Sequence, residues 1–254
     1  MAVIEPREAR DQLEHGARDN TGPDVDRQGP NRGAGGHEGS FVRRNGLAIA
    51  CFSLFLVFWA SQAVTGWHVF NEDSLTHGEG AISFGHYLTS GHFIEATFEN
   101  WESEFLQLFG FVLLTAWLVQ RGSAESKSED EEPDEPEEHK DDPDAPWPVR
   151  RGGLWLKLYQ NSLLLAFVIL FLLSIVGHAF GGLAEYNDEQ ESHGQEPVST
   201  LEFVSSSDFW FQSFQNWQSE FLAVGSIVVL TIFLRQKGSP ESKPVHAANW
   251  RTGE

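Results

Sequence analysis

Two carboxylates standing at the start of apolar runs, Glu104 and Glu220, are the residues of this sequence whose chemistry first needs explaining. Glu104 falls in Phe98–Leu106 (FENWESEFL) and Glu220 in Phe214–Leu222 (FQNWQSEFL). At 3.6 residues per helical turn, Thr97, Asn100, Glu104 and Thr115 share one face with Phe111. Ser213, Asn216, Glu220 and Thr231, with Ile227, repeat that face in a second helix. Carboxylate, amide and hydroxyl oxygens together suit a proton or a hard cation. Two plainer roles compete: hydrogen bonds that fix helix packing, or a Glu104 that reaches out to the wet side of Trp101.

The remaining chemistry is sparser. His68, His77, His86 and His92, with His178 and His193, offer imidazole nitrogens, but no HxxxH or HExxH spacing appears, so no metal site is expected. The single cysteine, Cys51, sits in an apolar run and excludes an intramolecular disulfide. No phosphate-binding loop, dinucleotide fingerprint or nucleophile elbow is present, so neither a cofactor nor an enzymatic activity is expected. The formal charge of −20 argues against nucleic acid as a partner, since phosphates need clustered Lys and Arg. Much of the negative excess is confined to Glu125–Asp144.

The elements that must position these groups are membrane helices. A crossing needs about 20 mostly apolar residues. Gly46–Gly66 qualifies without a charge, and Leu158–Phe180 carries only His178. Phe105–Val119 and Phe221–Leu234 are shorter, but each extends backward into an amphipathic stretch, from Phe93 and from Phe209. A helix over 93–120 would measure about 42 Å. Basic residues flank one end of every run: Arg43 and Arg44, Arg121 and Lys127, Arg150, Arg151 and Lys157, then Arg235, Lys237 and Lys243. The outer loops Trp67–His92 and Gly181–Asp208 have no Lys or Arg, which places both termini and the central linker in the cytoplasm.

Shifting the sequence by 116 residues lays Asn45–Lys127 on Asn161–Lys243 without a gap. QRGSAESK (Gln120–Lys127) then meets QKGSPESK (Gln236–Lys243), and His77-Gly78 meets His193-Gly194. This is an internal repeat. The expected fold is all-α: an integral membrane four-helix bundle made of two tandem, parallel two-helix units. Repeat 1 covers 41–127, with spans near 46–66 and 101–120. Repeat 2 covers 151–243, with spans near 156–180 and 217–235. The polar segment 1–40, the acidic linker 128–150 and the C-terminal tail 244–254 are expected to be disordered.

The Asn-Trp-x-Ser-Glu-Phe core at Asn100–Phe105 and Asn216–Phe221, following an apolar span and a His-containing loop, carries a resemblance. It resembles a family of uncharacterised bacterial membrane proteins, a domain of unknown function, over Phe41 to about Lys243. The resemblance implies a bacterial membrane location and no known activity. The chain is therefore expected to be a non-enzymatic structural or interaction protein of the bacterial inner membrane, with the lipid bilayer as its partner. The alternative is a small transporter or channel built on Asn100, Glu104, Thr115, Asn216, Glu220 and Thr231, its substrate or ion unknown. Four helices are few for a pathway, so a pore would call for a homo-oligomer.

Overall fold

The computed structural model describes residues 41–128 and 136–253. The expected N-terminal tail, and residues 129–135 of the linker, lie outside the described residues. The chain divides into two compact units, the first ending at Phe52 and the second running from Ser53. The described part of the first holds α1 (Phe41–Arg44) and the opening turns of α2 (Gly46–Thr76). The second continues with α3 (Phe84–Tyr87), α4 (Gly91–Trp117), α5 (Trp147–Arg151), α6 (Gly153–Gln160), α7 (Ser162–Ser192), α8 (Thr200–Val204) and α9 (Ser207–Phe233). Among the described residues there is no strand.

Among the described residues three helices, α2, α7 and α9, are long and apolar enough to cross a membrane. The fourth expected span, 101–120, is the C-terminal part of α4, which stops at Trp117. Glu102, Glu104 and Gln107 lower the hydropathy of that part, so by composition α4 falls short of the other three. The first and third spans overrun their expected ends. α2 runs on to Thr76 and α7 to Ser192, where outer loops were expected. Their last turns are polar, NEDSLT and EYNDEQES, and need only water around them. Each overrun is tied to the returning chain by an asparagine. Asn71 accepts from the Ile82 N–H at 2.7 Å and donates to its carbonyl at 3.1 Å, and Asn187 does the same with Val198 at 2.8 and 3.1 Å. The third expected span also begins late, because the helix breaks at Asn161 between α6 and α7.

Serines start the helices that follow. Ser90 accepts from the Phe93 N–H at the head of α4, and Ser206 from the Phe209 N–H at the head of α9. Such caps satisfy backbone donors that have no partner in the helix itself. Ser199 and Glu202 form a capping box on α8, and these two Ser199 hydrogen bonds hold the Glu202 carboxyl below its ordinary range. At the other ends, Lys127 donates to the Ala116 carbonyl and Arg235 to those of Thr231 and Ile232, cations at the negative ends of α4 and α9.

α4 packs most extensively on α7, and glycine is the reason. A Cβ on Gly181 would collide with the Glu95 backbone, one on Gly91 would meet the Glu185 nitrogen at 2.5 Å, and one on Gly177 would meet the Phe98 ring at 2.5 Å. Lipid supplies no hydrophobic drive between helices, so close backbone approach of this kind must hold them. An aromatic core of Tyr87 and Phe93 with Trp59, Trp67 and Phe70 joins α2, α3 and α4.

Two segments expected to lack structure have it. The linker forms a short 3-10 turn at Pro136–His139 and enters α5 at Trp147, after a bend in which Asp142 accepts from the Asp144 N–H. The C-terminal segment folds back on the end of α4. Thr252 Oγ1 accepts from the Gly122 N–H, Gly253 N–H donates to Ser123, and the buried Lys243 ammonium donates to the carbonyls of Gly122, Asn249 and Arg251. Backbone carbonyls, which composition does not report, hold this tail.

Candidate functional site

The buried titratable groups lie on a different face of α4 from Glu104. Glu95, Glu99 and Glu102 are spaced as neighbours on one helical stripe. That stripe meets α7 and α9. Glu102 and His178 are both 0 % exposed. His178 Nδ1 lies 2.8 Å from Glu102 Oε2, and Trp217 Nε1–H donates to Glu102 Oε1 at 2.9 Å. His178 Nε2 lies 3.1 Å from Gln212 Oε1, and the Gln212 amide donates to Glu95 Oε1 at 2.7 Å. Asn216 Nδ2 donates to Glu99 Oε1 at 2.5 Å. The Phe209 ring stacks on the imidazole, centroids 4.8 Å apart, and closes the site.

This geometry counts protons. The Gln212 amide group donates to Glu95, so its oxygen faces His178 Nε2, and that nitrogen must be a donor. Trp217 can only donate, so Glu102 Oε1 is an acceptor. A hydrogen bond between Nδ1 and Oε2 then needs one further proton, carried by the imidazolium or by the carboxylic acid. The pair thus stores a proton and is neutral as a whole. That suits a buried site, where an unpaired charge is costly.

Glu95 leads outward from the pair. Its side chain passes Gly182, and its carboxylate interacts electrostatically with Glu185, which accepts from the His92 backbone N–H. Glu185 lines a cavity of about 320 Å³ with Asp73, His77, Asp188, Glu189 and His193, formed where α2 and α7 overrun. Beside it, Tyr87 hydroxyl and His92 Nδ1 are 3.0 Å apart. Burial, reinforced by Glu185, pushes the Tyr87 phenol above its ordinary value. Among the described residues no three His, Cys, Asp or Glu side chains converge as metal ligands.

The residues singled out from sequence are scattered by comparison. Asn100 is exposed and donates to Ala96 of its own helix, and Glu104 is exposed. Glu104 is near enough to Glu220 to act on it electrostatically, and Gln107 donates to the Glu220 carbonyl. Thr115 bonds back to Phe111, while Thr231 is buried against Ser123 at 3.1 Å, at the far end of α9. Thr97 accepts from Trp59, and the buried Ser213 hydroxyl has no hydrogen-bond partner among the described residues. Only Asn216 joins the buried cluster.

Glu102 and His178 carried a signal in the sequence, as breaks in the repeat. The 116-residue offset places Gln218 opposite Glu102, Gln62 opposite His178, Phe211 opposite Glu95 and Gln215 opposite Glu99. The 116-residue offset therefore pairs each member of the charged set with an uncharged residue.

Comparison with known proteins gives one match. The family model described as Domain of unknown function (DUF6766) covers residues 38–254. The chain belongs to this family. No curated protein and no solved structure matches it. Membership agrees with the resemblance carried by the Asn-Trp-x-Ser-Glu-Phe cores and brings no activity with it.

Proposed function

We propose that this chain is a non-enzymatic, multi-pass protein of the bacterial inner membrane that takes up and releases a proton at Glu102–His178. The observation carrying the reading is that pair: two ionisable side chains on different helices, fully buried, with a proton between them. Ionisable groups inside a membrane bundle are costly and mark functional sites by default. Loss of the proton with Nε2–H retained would leave two acceptors facing each other at 2.8 Å, which favours separation of α4 from α7 at this point. The acidic cavity at Glu185 gives the proton a wet origin, and Glu95 and Gln212 link it to the pair.

The membrane arrangement belongs to the same proposal. α4 serves as the fourth crossing, its Glu95, Glu99 and Glu102 carboxylates turned to α7 and α9 instead of lipid. α4 and α9 have equal length, start 116 residues apart and carry matched serine caps, which supports two tandem parallel units. The Lys and Arg distribution supports cytoplasmic termini. A structural role is the second reading, favoured by the fact that both Glu102 oxygens are satisfied within the protein.

A proton count with a distance measurement separates the two. Wild type and the E102Q and H178Q variants, each shown to be helical, are titrated potentiometrically in nanodiscs. Spin labels on α4 and α7 report the gap. Wild type should release one proton more per chain than either variant, with the gap widening over the same pH range. A gap that stays fixed at every pH, with E102Q lowering thermal stability alone, would leave the structural reading standing instead.

A further inference from the structure

The segment that leads into α7 has exposed rings and cations with no use inside the fold. α5 and α6 leave Trp147, Leu154, Trp155, Leu158 and Tyr159 exposed, with Leu154 at 69 %. The two indoles meet edge-on at 5.4 Å, and the Arg151 guanidinium sits 5.4 Å above the Trp147 ring. Arg150 and Lys157 are exposed as well. Gly152 and Gly153, both with positive φ (67° and 61°), make the bend that turns α5 away from the line of α6. In a chain of net charge −20, no Asp or Glu occurs between Ala145 and Ala184.

We infer that α5 and α6 form a headgroup-level docking surface for anionic phospholipid in the leaflet at the N-terminal end of α7. Position and charge decide the occupant. The segment runs directly into α7, the most apolar helix of the chain, so its rings stand where hydrocarbon gives way to headgroups. Trp and Tyr favour that zone, and their apolar bodies need the cover that water does not give. Arg150, Arg151 and Lys157 form no ion pair among the described residues, and such cations select negative headgroups over zwitterionic ones. The inference rests on α7 being embedded and is independent of the Glu102–His178 proton.

The test is lipid quenching of tryptophan in the full chain. The protein is placed in phosphatidylcholine nanodiscs containing brominated phosphatidylglycerol, or brominated phosphatidylcholine at equal mole fraction. The signal of Trp147 and Trp155 is taken as the difference from a W147F/W155F variant. The anionic probe should quench that signal more strongly, by up to about fivefold in local lipid preference per guanidinium. The excess should vanish in R150Q/R151Q and shrink with added salt. Equal quenching by the two lipids, or an excess that survives R150Q/R151Q, would overturn the inference. Competition by inorganic phosphate at constant ionic strength would also overturn it, pointing to a free-anion site. So would protection of both rings from either lipid by an added acidic protein, which would make the surface a protein interface. Quenching of the remaining tryptophans by either probe reports embedding separately, so failure of the membrane reading is distinguishable from failure of this one.

Discussion

At the scale of single residues, the chain turns on one proton-sharing contact. Replacing Glu102 by Ala strands His178 and Trp217 without an acceptor. Breaking a buried pair in this way is expected to cost about 3–5 kcal/mol, read by chemical unfolding in detergent. Glu104→Gln, at an exposed side chain, should stay within about 0.5 kcal/mol of wild type in the same assay. Asn216 was legible in the sequence as a position both halves share, whereas Glu102 and His178 left only a weaker trace, as breaks in the 116-residue match. The expected site was centred on residues that the two repeats share, and the buried chemistry sits where they differ. Which face of α4 is covered depends on Gly91 and Gly181, residues far apart in sequence whose approach no local pattern reveals.

At the scale of elements, glycine contacts and caps do the positioning. Gly181→Ala should force α4 and α7 apart at Glu95 and lower stability by about 1–3 kcal/mol, with the largest loss of amide protection around Glu95. Gly122 and Gly238 offer a cleaner comparison. Both have positive φ, 85° and 86°, but a Cβ on Gly122 would meet the Asn249 carbonyl at 2.5 Å while one on Gly238 would meet nothing. Gly122→Ala should therefore destabilise more than Gly238→Ala, the latter showing only the backbone cost of roughly 1 kcal/mol. On α8, Glu202 has a depressed carboxyl value, so its contribution is present above the unfolded-state value and fades as pH falls through the folded one. Hydrogen exchange at the head of α8 should quicken over that acid range in wild type and show no such step in E202Q. The long helices were legible because apolar length needs no partner. Their polar overruns were not, because NEDSLT and EYNDEQES resemble loops until Asn71 and Asn187 tie them down.

At the scale of the whole molecule, Glu95 and Gln212 join an acidic cavity at the ends of α2 and α7 to a buried neutral pair. Its most direct test is solid-state nuclear magnetic resonance of the reconstituted chain, with His nitrogen and Glu carboxyl carbons labelled and His178 assigned by loss in H178Q. At neutral pH the account expects either a doubly protonated His178 or a protonated Glu102 bonded to it, and E102Q should remove that signature. A singly protonated, neutral His178 beside an ionised Glu102 would contradict it.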